Sequence, residues 1–150
     1  MRPRTLLSIT TFFSVLGIAD SLYLAEHAIT KTALSCGIGT GALTGCNVVA
    51  QSEYSHILGI PLGIYGLVFY TAVFVLSLVA RSRPTKRIKQ LLLLSGTLGM
   101  LLSLYFLWLQ VFIIDAICIY CLASFVFATA IFVTTLMLLR DREAVLPPVT

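Results

Sequence analysis

Residues Leu91 to Leu139 form one apolar run, interrupted only near Asp115. Wound as a single α-helix the run would extend about 70 Å, more than twice the roughly 30 Å of hydrocarbon in a bilayer. The chain must therefore fold back on itself, and the charge of Asp115 marks the turn. Two further stretches, Leu6–Ala25 and Ile57–Ala80, are each long and apolar enough to cross once. With 59% hydrophobic and 11% charged residues, a water-soluble domain of this size is excluded. The expected fold is an all-α integral membrane bundle, a single domain over 1–150. Its four transmembrane helices fall at about 6–26, 57–80, 91–114 and 116–139, with an outer loop carrying a short half-helix.

Basic residues set the orientation. If both termini are cytoplasmic, the inner side holds Arg2, Arg4, Arg81, Arg83, Lys86, Arg87, Lys89, Arg140 and Arg142, and the outer side holds only Lys31. Nine against one is a strong positive-inside bias. The net charge of +4 reports topology, with no nucleic-acid signal in it. The Arg81–Lys89 run reads as a solvated loop beside anionic headgroups. The first segment is read as a retained helix rather than a signal peptide, because Asp20 and Glu26 stand where a small-residue cleavage site belongs.

This topology puts all four cysteines on the outer, disulfide-permissive side of a cell (inner) membrane. Cys36 and Cys46 fall in the first outer loop, and Cys118 and Cys121 follow Asp115 at the start of the last helix. A staple is credible for Cys36–Cys46, whose nine intervening residues close an easy loop. It is weak for Cys118–Cys121, since a bond across one helical turn constrains little chain entropy. A pair spaced Cys-x-x-Cys serves exchange chemistry or a metal. A zinc site built from all four cysteines ranks below redox, because the Cys-x9-Cys half has unusual spacing and neither His27 nor His56 adjoins a cysteine. Asp115 is the expected N-cap, and a helix start favours the Cys118 thiolate over that of Cys121. The competing class is a non-enzymatic four-helix protein with structural outer disulfides.

Cys36, Cys46 and the Cys118-Ile119-Tyr120-Cys121 motif, together with Asp20-Ser21-Leu22-Tyr23-Leu24, Ser52 and Gly59-Ile60-Pro61-Leu62-Gly63, resemble the vitamin K epoxide reductase family. The likeness is greatest to microbial members that oxidise partner thiols and pass electrons to a quinone. It implies that Cys36 exchanges with an external thioredoxin-like (DsbA-type) partner and forms the resting loop disulfide with Cys46. Cys46 then passes electrons to Cys118, and Cys121 faces the quinone. The resemblance places Ser52 near the quinone pocket. The DsbB-like family carries its Cys-x-x-Cys in the first outer loop, the reverse of the order here. Family members that reduce the vitamin K epoxide hold it through an asparagine and a tyrosine. The corresponding positions here are Leu62 and Phe125, so ubiquinone or menaquinone is the expected acceptor, with Phe125 available to stack on its ring. The family often carries a fused thioredoxin domain, so a separate partner is expected for this chain.

Other residues are assigned by position. Asn47–His56 is expected to lie flat over the bundle mouth as a half-helical lid, with His56 a candidate proton donor to the quinone. Asp20 is expected to be hydrogen-bonded to a neighbouring helix. Tyr23, Tyr105 and Trp108 read as packing or interfacial aromatics, and Gly96 and Gly99 as points of close helix approach.

Overall fold

The computed structural model describes residues 3–35 and 45–143. Four helices are long and apolar enough to cross a membrane, Pro3–Thr30, Leu62–Ser82, Lys86–Ile114 and Ile119–Arg140. We label α1 (Pro3–Thr30), α2 (Cys46–Gln51), β1 (His56–Ile57), β2 (Ile60–Pro61), α3 (Leu62–Ser82), α4 (Lys86–Leu109) and α5 (Ile119–Glu143). The long helices close a ring in which α1 packs on α3, α3 on α4, α4 on α5, and α5 back on α1. Large apolar side chains such as Phe12, Leu22, Val68, Leu94, Leu101 and Phe112 are exposed on the outside of this ring, as lipid-facing surfaces are.

Lipid gives helices no hydrophobic reason to associate, so close packing and interhelical hydrogen bonds hold such a bundle. Gly63 lies against the α1 backbone, where a Cβ would come within 2.7 Å of the Ala25 nitrogen. Thr10 bonds Thr134 across α1 and α5, and Thr11 bonds Ser77 across α1 and α3, each at 2.9 Å. The Tyr70 hydroxyl bonds Ser124 Oγ at 2.7 Å and donates to the Ser124 carbonyl at 2.9 Å, tying α3 to α5. Leu6, Tyr70, Val73, Leu92, Ile131 and Leu138 form the apolar core between these links.

The ends of the elements shift three expectations. Residues expected to open the second transmembrane helix at Ile57 instead form a two-stranded hairpin, in which His56 faces Pro61 and Ile57 faces Ile60. Its turn residues Leu58 and Gly59 both have positive φ, the geometry of a type I′ turn, and Pro61 then starts α3 at Leu62. The expected lid helix is shorter than Asn47–His56. It comprises α2 and a single 3₁₀ turn at Glu53–Ser55. Finally, α4 ends in a π turn over Gln110–Ile114, closed by Asp115 in the left-handed region, which aspartate tolerates. Asp115 does mark the fold-back, but it is not the N-cap. Helix α5 begins at Ile119, and the Cys118 carbonyl accepts the Leu122 N–H at 3.0 Å.

Candidate functional site

Cys46, Cys118 and Leu34 share one buried cluster at the end of the bundle where the outer loop meets α5, with Tyr23, Tyr120 and Cys121 packed around it. Cys46 is fully buried and disulfide-bonded, whereas Cys118 and Cys121 are free thiols. Cys36 lies outside the described residues.

Two devices bring the Cys46 segment to Cys118. The first is Gly45, whose position leaves no room for a side chain. A Cβ there would lie 2.7 Å from Ala116 Cβ and 2.9 Å from the Ile117 nitrogen. The second is a clamp on the loop ends. Asn47 Oδ1 accepts the Leu34 N–H at 2.8 Å, and Asn47 Nδ2 donates to the Leu34 carbonyl at 3.2 Å. Beside it, Tyr120 of α5 donates its hydroxyl to the Ser35 carbonyl at 2.7 Å, and the Ser35 N–H donates to the Tyr23 hydroxyl at 3.3 Å. The two tyrosine rings pack with centroids 4.9 Å apart. Tyr23 therefore does more than pack, since with Tyr120 it holds the residue preceding Cys36.

The dithiol is set by the start of α5. The Cys118 N–H donates to Gln110 Oε1 at 2.9 Å, which bridges the π turn to the helix. The Cys118 thiol is pushed down to about 7. A hydrogen bond from the Cys121 thiol is the main cause, helped by the backbone N–H groups of Cys121 and Tyr120, while burial works against it. Cys118 is thus the favoured thiolate of the pair, held by the Cys121 thiol and backbone N–H groups rather than by the expected N-cap at Asp115.

The sulfurs open onto a cleft of about 670 Å³ enclosed by all four long helices and roofed by α2 and the hairpin. That volume suits a flat organic ring with part of a tail. Apolar walls come from Leu24, Phe69, Leu102 and Phe106, and polar groups from Ser21, Tyr70, Ser103, Gln110 and Ser124. Of the quinone contacts expected from the sequence, Ser52, His56 and Leu62 line this cleft and Phe125 does not. Ser52 donates its hydroxyl to the Val49 carbonyl at 2.7 Å and closes α2, while His56 Nδ1 bonds Ser55 Oγ at 2.8 Å. The fit to a quinone rests on this combination of volume, apolar walls and two sulfurs at the wall.

Asp20 departs from expectation. Its Oδ2 is buried and has no hydrogen-bond partner among the described residues, so no neighbouring helix satisfies it. No group of three or more His, Cys, Asp or Glu side chains among the described residues is gathered as a metal site. Sequence reasoning missed Gln110, Asn47 and Gly45. For Gln110 a signal existed, because a lone carboxamide inside the Leu91–Leu139 run is costly and calls for a reason.

The sequence model of the vitamin K epoxide reductase family matches residues 8–136, nearly the whole chain. No curated protein matches the chain.

Proposed function

The chain belongs to the vitamin K epoxide reductase family, and from that premise we propose that it oxidises a thioredoxin-like partner and passes the electrons to a quinone, supporting disulfide formation outside the cytoplasm. Membership of the family makes the chain a membrane oxidoreductase that links thiols to a quinone. The observation that carries the proposed relay is the burial of disulfide-bonded Cys46 and free Cys118 in one cluster beside the cleft.

The proposed relay begins with a Cys36–Cys46 disulfide. A partner thiolate attacks Cys36, releasing Cys46 as thiolate, and the partner's second thiol resolves the mixed disulfide to free Cys36. Cys46 then attacks Cys118 of an oxidised Cys118–Cys121 pair and expels Cys121. Cys36 attacks Cys46 in turn, restoring the loop disulfide and expelling Cys118. A low thiol pKa speeds departure, so the depressed value of Cys118 suits this last step. The loop is then oxidised and the inner pair reduced, the state in which Cys46 is bonded and Cys118 and Cys121 are free. A quinone in the cleft supplies the two-electron acceptor. The two thiols close their disulfide as they give up two electrons and two protons. On this reading both termini face the cytoplasm, supported by the basic-residue asymmetry, and the acceptor is ubiquinone or menaquinone.

Purified protein in lipid nanodiscs, given a reduced DsbA-type partner and ubiquinone-1 or menadione, should bleach the quinone. Cys118→Ala and Cys121→Ala should each abolish the reaction. Full activity in both variants would refute the relay. A partner whose second cysteine is replaced by serine should accumulate as a mixed disulfide on Cys36, with Cys46 released as the leaving thiolate.

A further inference from the structure

Gln110 begins the π turn and is 3% exposed. A buried carboxamide costs free energy unless both of its ends find partners. Its oxygen end is occupied by the Cys118 N–H at 2.9 Å. Only the oxygen can accept that bond, so the bond also fixes which way the amide points. The Nε2 end, which carries the donors, is then the end that hydrogen-bonds the Cys121 thiol. A thiol sulfur is a weak acceptor, and Nε2 carries two N–H donors. Gln110, Cys118 and Cys121 line the same cleft, together with Tyr70 and Ser124, whose hydroxyls are bonded to each other.

We propose that Gln110 Nε2 donates a hydrogen bond to a carbonyl oxygen of the quinone held in the cleft and so seats the ring against Cys121. This rests on the thiol–quinone reading and adds the polar contact that Leu62 and Phe125 do not offer. One carboxamide acts through both ends. Its oxygen holds the start of α5, and with it the sulfurs, while its nitrogen holds the ring. The reacting groups are thereby positioned from a single side chain, and a preorganised donor in a site shielded from water is worth more than the same donor in water.

The probe is ubiquinone-1 with ¹³C at its carbonyls, bound to the full chain in nanodiscs and read by difference infrared spectroscopy. In wild type a carbonyl band should lie below its position for the quinone free in lipid, and Gln110→Met should return it to that position. Turnover with saturating reduced partner should fall at least about tenfold, because Gln110→Met loses the bond to the quinone and the bond to the Cys118 N–H together. A displaced band that is unchanged in Gln110→Met overturns the assignment of Gln110 and leaves the thiol–quinone reading standing. Absence of any bound-quinone band in wild type overturns both. Should Gln110→Met fail to fold, the contact is readable with Gln110 intact. Dipolar recoupling between ¹⁵N-labelled glutamine amides and the ¹³C carbonyls, in a Gln51→Met background that removes another cleft glutamine, should report a separation of about 4 Å. No coupling there also overturns the proposal.

Discussion

Asn47 and Leu34 are joined twice, the Asn47 carboxamide taking the Leu34 N–H at 2.8 Å and returning a bond to its carbonyl at 3.2 Å. The pairing imitates a rung of a β-ladder, made by a side chain, and it ties the segment before Cys36 to the helix that starts at Cys46. Asn47→Ala should loosen the loop by about 1–3 kcal/mol. Hydrogen exchange at the Leu34 amide should accelerate correspondingly, and trapping of a Cys46–Cys118 mixed disulfide should fall. Asn47→Asp keeps the acceptor but loses the donor, so its effect should be intermediate. Unchanged exchange at Leu34 in Asn47→Ala would remove the clamp from the account.

Gly45 meets Ala116 and Ile117 at a distance that excludes a methyl group. Its φ of −75° suits any residue, so the constraint is steric rather than conformational. Gly45→Ala should push the Cys46 segment away from Cys118 and cut the yield of the Cys46–Cys118 disulfide formed with diamide as oxidant severalfold in a Cys36→Ser, Cys121→Ser background. Adding Ala116→Gly should restore only part of the yield, because the Ile117 nitrogen would still lie 2.9 Å from the new Cβ. Full yield from Gly45→Ala alone would show that the approach of the two segments is not limiting.

Much of this arrangement was legible in the chain, and what was not has identifiable causes. The four spans and the fold-back at Asp115 follow from hydropathy and from the length of helix a bilayer can hold. The start of the second span did not, because His56–Pro61 is as apolar as a helix end and only the paired positive φ values at Leu58 and Gly59 make it a hairpin. Asp115 carried two signals, a turn and a cap, and the chain uses the turn, leaving Cys118 itself at the helix boundary. The partners of Gln110, Asn47 and Tyr120 lie 8, 13 and 85 residues away. No local pattern encodes contacts of that kind.

The hydrogen bond from Cys121 gives the dithiol a pH signature. With its value lowered from 9.0 to about 7, Cys118 is protonated and slow toward small alkylating reagents below about 7, and reactive above it. The folded value lies below the ordinary one, so the stabilisation linked to this thiolate is fully present above about 9 and is lost as pH falls through about 7. In Cys121→Ala the main stabilising donor is gone, and the alkylation midpoint of Cys118 should move upward. Cys121→Ser keeps a hydroxyl donor and should move it less. An unshifted midpoint in Cys121→Ala would place the cause in the backbone N–H groups alone.

Asp20 offers the sharpest separation of stability from function. A carboxyl retained for packing would be fully bonded, yet Oδ2 is buried without a partner among the described residues, and Asp20 lies close enough to Cys118 for the two groups to interact electrostatically. Two acidic groups so placed oppose each other's ionisation. Asp20→Asn removes the ionisable carboxyl at nearly constant shape, so the melting temperature should rise by a few degrees, about 1 kcal/mol of relief. The Cys118 alkylation midpoint should drop below its wild-type value. A better-held thiolate stabilises the reduced pair and makes its disulfide more oxidising. Equilibration with glutathione should therefore show a raised potential for Cys118–Cys121, and electrons should pass onward less readily, so turnover falls as stability increases. A lower melting temperature with an unchanged potential would identify Asp20 as a structural carboxyl.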